Sequence, residues 1–273
     1  MQLGGNEMDK RRNLVSRRQF LEVIAVGATG VVIPGMGMVF DARADSHRAD
    51  PFFRPFTVPP QDTGVRNGKN VHFNLDIQAG EQQFLGAEST NTLGINGAYL
   101  GPVIRVNKGD RVSFKVNNTL SQDATLHWHG LMLPAKMDGG PHQVIAPGST
   151  WEPSFEIIQD AASYWYHAHT HRLTGYQVYH GLAGMFIVDD ELSESLDLPK
   201  EYGLDDIPVV IQDRAFNRDG SFRYVTSMHD RMRGMLGNTV MVNGVITPTL
   251  KAKKPVLRLR LLNGSNARIY DLE

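Results

Sequence analysis

Val71, Phe73, Leu75 and Ile77 are apolar and the residues between them are polar, a period of two that lays one side of a β-strand on a core and turns the other to water. The same period returns at Ile104 and Val106, at Val112, Phe114 and Val116, and at Trp151, Phe155 and Ile157. It continues at Met185 and Ile187 with their neighbours Phe186 and Val188. Asn107-Lys108-Gly109-Asp110 separates two of these runs, and because glycine tolerates the positive φ of a tight turn, the pattern predicts a hairpin over 104–116. Beyond residue 45 no long stretch carries a 3.6 period. Short strands divided by Gly, Pro, Asn and Asp predict an all-β chain, a sandwich or a barrel.

Between Asp189 and Asp206 the pattern breaks into an acidic stretch that also holds Asp190, Glu191, Glu194, Asp197, Glu201 and Asp205. It reads as a loop-like connection, with a linker over 191–206 and a first domain over 45–190. Strands resume at 209–211, 240–242 and 256–262, the last with Leu257, Leu259 and Leu261 alternating with Arg258 and Arg260. The stretch 207–273 is too short for a closed sandwich of about 100 residues, so it reads as the start of a second domain, cut short.

The amino terminus follows a different rule. Lys10, Arg11, Arg12, Arg17 and Arg18 precede an apolar run over 23–39 that ends near Ala42-Arg43-Ala44, the order of an export signal. Gly27, Gly30, Pro34, Gly35 and Gly37 interrupt that run, which falls short of the roughly 20 apolar residues of a spanning helix. Ser16-Arg17-Arg18-Gln19-Phe20-Leu21 resembles the twin-arginine signal that exports folded proteins. Residues 1–44 are therefore read as an address. The protein is expected in the periplasm or outside the cell, with no stable membrane insertion once the signal is removed.

Charge and composition narrow the partners. The 273 residues carry 28 Lys+Arg against 29 Asp+Glu, a net charge of -1, so no general attraction for nucleic acid or anionic membranes is available and a small partner is expected. There is no cysteine, which excludes from this stretch disulfides, thiolate nucleophiles, cysteine zinc sites, iron–sulfur clusters and any copper site that needs a thiolate.

The candidate chemistry lies in two histidine pairs. Thr125-Leu126-His127-Trp128-His129-Gly130 and Trp165-Tyr166-His167-Ala168-His169 each set two imidazoles at i and i+2, which a strand turns to one face. Each pair can grip one metal ion or bridge two, and the intervening chain is long enough for an antiparallel return to gather all four rings. Neutral imidazoles suit zinc, copper, nickel or iron, so the spacing leaves the metal open.

These residues also carry a resemblance. TLHWHG and YWYHAHTHRLTGYQVYHGLAGMFIVDD resemble the two amino-terminal copper motifs of the multicopper oxidases, the laccase and bacterial cuprous oxidase family. The likeness extends through Asn96-Gly97, Gly101-Pro102, Ile104-Arg105-Val106, Gly109-Asp110 and Asp138-Gly139-Gly140-Pro141. Farther on it includes Ile211-Gln212-Asp213, Val242-Asn243-Gly244 and the strand from Leu257 to Gly264. It implies a cupredoxin-like Greek-key β-sandwich, one complete domain plus the start of a second. It also implies a trinuclear copper cluster held by eight histidines in four H-x-H pairs, of which this sequence has two. By that resemblance His127 would bind the type 2 copper and His129, His167 and His169 the type 3 pair. Dioxygen would be reduced to water there with electrons from a small reducing substrate, a phenol or a metal ion. They would enter through a type 1 copper whose cysteine this sequence lacks, so this stretch alone is not expected to turn over.

Asp138 matches an acidic residue that acts as a proton relay in bacterial members, a role the proton demand of dioxygen reduction calls for. His171, two positions past His169, is left outside the ligand set. His47, His72, His142, His180 and His229 have no partner at metal spacing and read as solvated. Met228, Met232 and Met235 recur at helical intervals and read as a packing face rather than a cuprous site. Lys251, Lys253 and Lys254 read as a solvated turn. Two other functions fit less of the sequence: a non-catalytic periplasmic scaffold, like the division-associated relatives that keep the cupredoxin fold without copper, and a mononuclear zinc or copper protein using these four histidines.

Overall fold

A computed structural model describes residues 54–272; the signal read over 1–44, with Arg17 and Arg18, and His47 lie outside the described residues. The strands are β1 (Gln61–Asp62), β2 (Val65–Asn67), β3 (Asn70–Gln82), β4 (Thr90–Ile95), β5 (Val103–Asn107), β6 (Arg111–Asn118), β7 (His127–His129), β8 (Thr150–Trp151), β9 (Ser154–Glu156) and β10 (Ala162–His167). They continue with β11 (Ala183–Asp189), β12 (Asp206–Arg214), β13 (Thr239–Val242), β14 (Val245–Ile246) and β15 (Arg258–Asn263). Three short helices interrupt them, α1 (Thr174–His180), α2 (Glu191–Ser195) and α3 (Met228–Arg233). One sheet runs β1-β5-β11-β10-β7 and a second runs β2-β3-β6-β8, with β4 on β3 and β9 on β6. Their inner faces share one core, in which Val71, Phe73, Leu75, Ile77, Val112, Phe114 and Val116 from one sheet meet Ile104, Val106, Trp128, Tyr166, Phe186 and Val188 from the other. This is an all-β sandwich, one of the two architectures that the alternation predicts and the cupredoxin-like one that the resemblance implies. Each fully buried apolar side chain contributes about 1.5–3 kcal/mol before entropy is counted.

The hairpin over 104–116 is not formed. β5 pairs in parallel with β1 and β11, and β6 pairs in parallel with β3, so the turn between them crosses from one sheet to the other. Its backbone groups bond to both layers: Lys108 N donates to Asp189 O, Gly109 N to Ile157 O, and Arg111 N to Lys69 O. Asp110 fixes the corner by accepting from Asn107 N at 2.7 Å and from both terminal nitrogens of Arg66 at 2.6 and 2.8 Å. Alternation specifies which face of a strand is apolar, and it does so equally for strands of one sheet and of two.

β11 is buried along its whole length. Phe186 and Val188 enter the sandwich core, while Ala183, Met185 and Ile187 face a separate cluster with Leu100, Val103 and Val210. Val210 belongs to β12, in a third sheet ordered β14-β13-β12-β15.

Here two readings of the acidic and basic residues are corrected. Asp189 and Asp206, the ends of the acidic stretch, are buried strand residues rather than parts of a loop. Arg105 donates to Asp189 Oδ2 at 2.5 Å and to Asp206 Oδ2 at 3.0 Å, and Arg260 donates to Asp206 Oδ1 at 2.6 Å. Two guanidinium groups thus meet two carboxylates. In β15, Arg260 is 5% exposed whereas Leu259 and Leu261 are 51% and 50% exposed, the reverse of the usual parity. The carboxylate of Asp206, on the neighbouring strand β12 of the same sheet, receives Arg260.

Three surface readings also change or stand. Of the methionine face, Met235 is 2% exposed, but Met228 and Met232 on α3 are 69% and 81% exposed. The helix is one short turn pinned by its Ser227 cap, and only the residue beyond it reaches the cluster of Phe84, Tyr179, Phe222 and Met241. His180 is not solvated: it stacks on Tyr176 at 4.0 Å, its Nδ1 donates to Tyr176 O, and burial lowers its pKa. His72, His142 and His229 are exposed, as are Lys251, Lys253 and Lys254. Among the described residues no helix is long and apolar enough to cross a membrane.

Candidate metal centre

The two histidine pairs sit on neighbouring strands at one edge of the first sheet. β7 and β10 run antiparallel with His127 opposite His167, Trp128 opposite Tyr166, and His129 opposite Trp165. Trp128 and Tyr166 point inward. Trp128 is fully buried and its ring lies 4.2 Å from that of Phe114, while the Tyr166 hydroxyl donates to Pro102 O at 2.7 Å. The alternation that buries these two rings turns His127, His129, Trp165 and His167 to the opposite face. A glycine at 184 makes room for Tyr166, since a Cβ there would meet its ring at 2.3 Å.

On that face the imidazoles converge. One ligand atom from each of His127, His129 and His167 lies within 4.8 Å of the others. His129 Nδ1 and His167 Nε2 face each other at 3.2 Å. The ring of His169 is 5.3 Å from that of His127 and 5.8 Å from that of His167, and its Nδ1 is buried with no hydrogen-bond partner. His169 lies outside the tight group of three, beyond the last ladder pair of β10.

Neighbouring carbonyls orient two of the rings. His127 Nδ1 donates to Asp138 O at 3.0 Å, and His167 Nδ1 donates to Ala168 O at 2.8 Å. A carbonyl can only accept, so each of these two rings donates from Nδ1, and the Nε2 of His167 is turned toward His129. Trp165 stacks on His167 with centroids 3.9 Å apart. Burial pushes His167 down to about 3, and burial with the neighbouring His127 and His169 lowers His129. A close set of imidazole nitrogens and an orphaned buried nitrogen together fit a soft to borderline divalent metal.

Asp138 stands beside this group. Its carboxylate oxygen lies 3.3 Å from His127 Nδ1, and its side chain is 37% exposed, so it touches both the histidines and water. Gly139 makes the approach possible: at φ 73°, any Cβ would lie 1.8 Å from Leu126 O. His171 is exposed and makes no contact with the four rings. Sequence reasoning missed Thr125, Trp165 and Gln177, which support the histidines. Trp165 and Thr125 flank the H-x-H pairs, but Gln177 sits in α1 with no local pattern to mark it.

Comparison with known proteins adds a second line. A family profile described as Multicopper oxidase matches residues 76–193. The multicopper oxidase mco of Staphylococcus epidermidis is 44% identical over 207 residues, covering 76% of this chain and 45% of that protein. The cell division protein FtsP of Escherichia coli is 37% identical over 259 residues, covering 95% of this chain and 52% of its own length. Among solved structures, a laccase from Pediococcus acidilactici superposes with a TM-score of 0.73 at 36% identity, covering 78% of this chain and 46% of that one. A laccase-like multi-copper oxidase CueO from Ochrobactrum sp. gives 0.73 at 40% identity, covering 78% and 47%. The chain spans about half the length of the curated relatives it matches.

Proposed function

Because this chain belongs to the multicopper oxidase family, we propose that its four paired histidines hold half of a trinuclear copper cluster, and that the protein couples oxidation of a small reducing substrate to reduction of dioxygen to water. The observation that supports this most is the convergence of His127, His129 and His167 within 4.8 Å, with the buried, unpartnered His169 Nδ1 beside them. His127 is assigned to the type 2 copper, and His129, His167 and His169 to the type 3 pair. When bound, the copper ions supply the electron storage and Lewis acidity that dioxygen reduction needs.

The chain's own residues do the rest. The carbonyls of Asp138 and Ala168 keep Nδ1 of His127 and His167 protonated, so each ring presents Nε2 to a metal. Trp165 covers one face of His167 and limits its rotation. The Asp138 carboxylate, half in water and 3.3 Å from His127, takes protons from solvent and delivers them at the edge of the histidine group. A type 1 copper that would pass electrons to such a cluster would need a thiolate ligand, and these 273 residues contain none. Export through the twin-arginine signal Arg17-Arg18 would place this chemistry in the periplasm or outside the cell.

The test is copper analysis of the purified protein beside oxygen uptake. Stoichiometric copper, part of it silent in electron paramagnetic resonance, is expected; in an intact protein that also carries a type 1 site, His129→Ala should abolish oxygen uptake while leaving the blue absorption in place. Loss of the blue colour with unaltered oxygen uptake overturns the assignment. A second reading, a scaffold without copper, is favoured by the 37% identity to FtsP over 95% of this chain. It requires protein free of stoichiometric copper, so the same analysis separates the two.

A further inference from the structure

His169 has a positioning problem that the other three histidines do not share. β10 ends at His167, and the β7–β10 ladder has its last pair at His167 opposite His127. No sheet hydrogen bond reaches two residues farther on. Two buried side chains take over at that point. Thr125 is fully buried two positions before His127, and its Oγ1 accepts from His169 N at 2.7 Å. Gln177 is fully buried on α1; its Oε1 accepts from Thr170 Oγ1 at 2.7 Å and its Nε2 donates to Asp123 O at 2.8 Å. Each link ties the segment leading into the first histidine pair to the segment leaving the second. Thr170 O in turn accepts from Leu173 N and Thr174 N, so the start of α1 hangs from the same residue.

We infer that Thr125 and Gln177 are positioning residues that hold His169 in reach of the other three histidines, doing for it what the β-ladder does for them. A hydroxyl and an amide suit the task because the segments they join have no common strand register. Both side chains are fully buried, where an unmade bond costs about 1–3 kcal/mol and the geometry is correspondingly stiff. This inference rests on the proposed copper function for its consequence, but not for its geometry.

The experiment compares the protein with Thr125→Val, Thr125→Ser, Gln177→Leu and Thr92→Val. Thr92 on β4 also loses a buried hydroxyl, bonded to Ala98 O at 2.5 Å, but lies in the other sheet. Two quantities are read: the histidine ring resonances of metal-free protein, and copper affinity by competition with a chelator. Thr125→Val and Gln177→Leu should shift and broaden the His169 ring signals, leave those of His129 in place, and weaken copper binding by roughly 10–100-fold. Thr125→Ser should restore both readouts and Thr92→Val should change neither. Unchanged His169 signals in Thr125→Val and Gln177→Leu, or an equal change in Thr92→Val, overturn the inference. Should Thr125→Val not fold, Gln177→Asn, which keeps the amide and shortens its reach by one methylene, must produce the same His169 change, and its failure to do so is equally decisive. Wild-type protein that takes up no copper refutes the proposed function alone, because the metal-free ring signals still decide whether Thr125 and Gln177 position His169.

Discussion

The edge formed by β7 and β10 and the strand β15 obey the same period of two, yet they resolve it in opposite ways. At the first, the aromatic residues Trp128 and Tyr166 are buried and the ionisable histidines lie on the other face. At the second, Arg260 is buried while Leu259 and Leu261 are half exposed. The difference lies in what the surrounding side chains offer, from the same sheet and from the one packed on it. Phe114 and Phe186 receive Trp128, with centroids 4.2 and 6.2 Å away, whereas Asp206 receives Arg260. A strand's period therefore defines two faces, and the side chains that surround each face choose between them.

The strongest way to break this comparison is to remove the receiving partner. Trp128→Ala should cost about 3–5 kcal/mol, read as a lower urea midpoint, and should also scatter the two histidines it separates. A loss under about 1 kcal/mol would mean that the ladder with β10, and not burial, sets the parity of β7. Asp206→Ala should cost about 3 kcal/mol, because it leaves Arg260 and Arg105 buried with Asp189 as their only remaining carboxylate. If instead Arg260 turns outward and Leu259 inward with little loss of stability, visible in a crystal structure of the variant, the ion pair selects the face without stabilising the fold.

A third, smaller effect sharpens the contrast between a histidine held by packing and one held by solvent. Burial lowers His180 below its ordinary 6.5. A depressed histidine pKa means that the unfolded chain binds more protons below 6.5, so the stability it contributes is present above that pH and is lost as pH falls through the folded value. The stability difference between wild type and His180→Gln should therefore shrink from about pH 7.5 to about pH 5. A constant difference across that range would show that His180 titrates normally. Least of all is expected from His171→Ala: the residue is exposed, so copper affinity and urea midpoint should match wild type within about 0.5 kcal/mol.

Much of the site is legible before folding because its signals are local. Two H-x-H pairs on strands need no tertiary information to put each pair on one face, and the aromatic residues between them mark the opposite face as core. Asp138 is legible only through the family resemblance, and the close approach of Gly139 to Leu126 that sets its place is a feature of the folded chain. Gln177 is invisible because its partners, Asp123 and Thr170, are set by how α1 folds back. The burial of His180 and the exposure of Met228 and Met232 are hidden in the same way, since a helix of one or two turns is placed by its caps and neighbours.

By itself, the sequence determined the strand periods, the all-β class, the two histidine pairs with their shared faces, and the absence of any thiolate in these 273 residues. Each follows from residue identity and spacing along one stretch of chain. Only the tertiary structure decided that 104–116 crosses between sheets, that Asp189 and Asp206 are buried partners of arginines, and that His169 depends on side chains rather than on a ladder. These depend on which segments come to lie against one another. A strand's period constrains only its own two faces, so partner choice is settled where buried charges and hydrogen-bonding groups must be satisfied across distant parts of the chain.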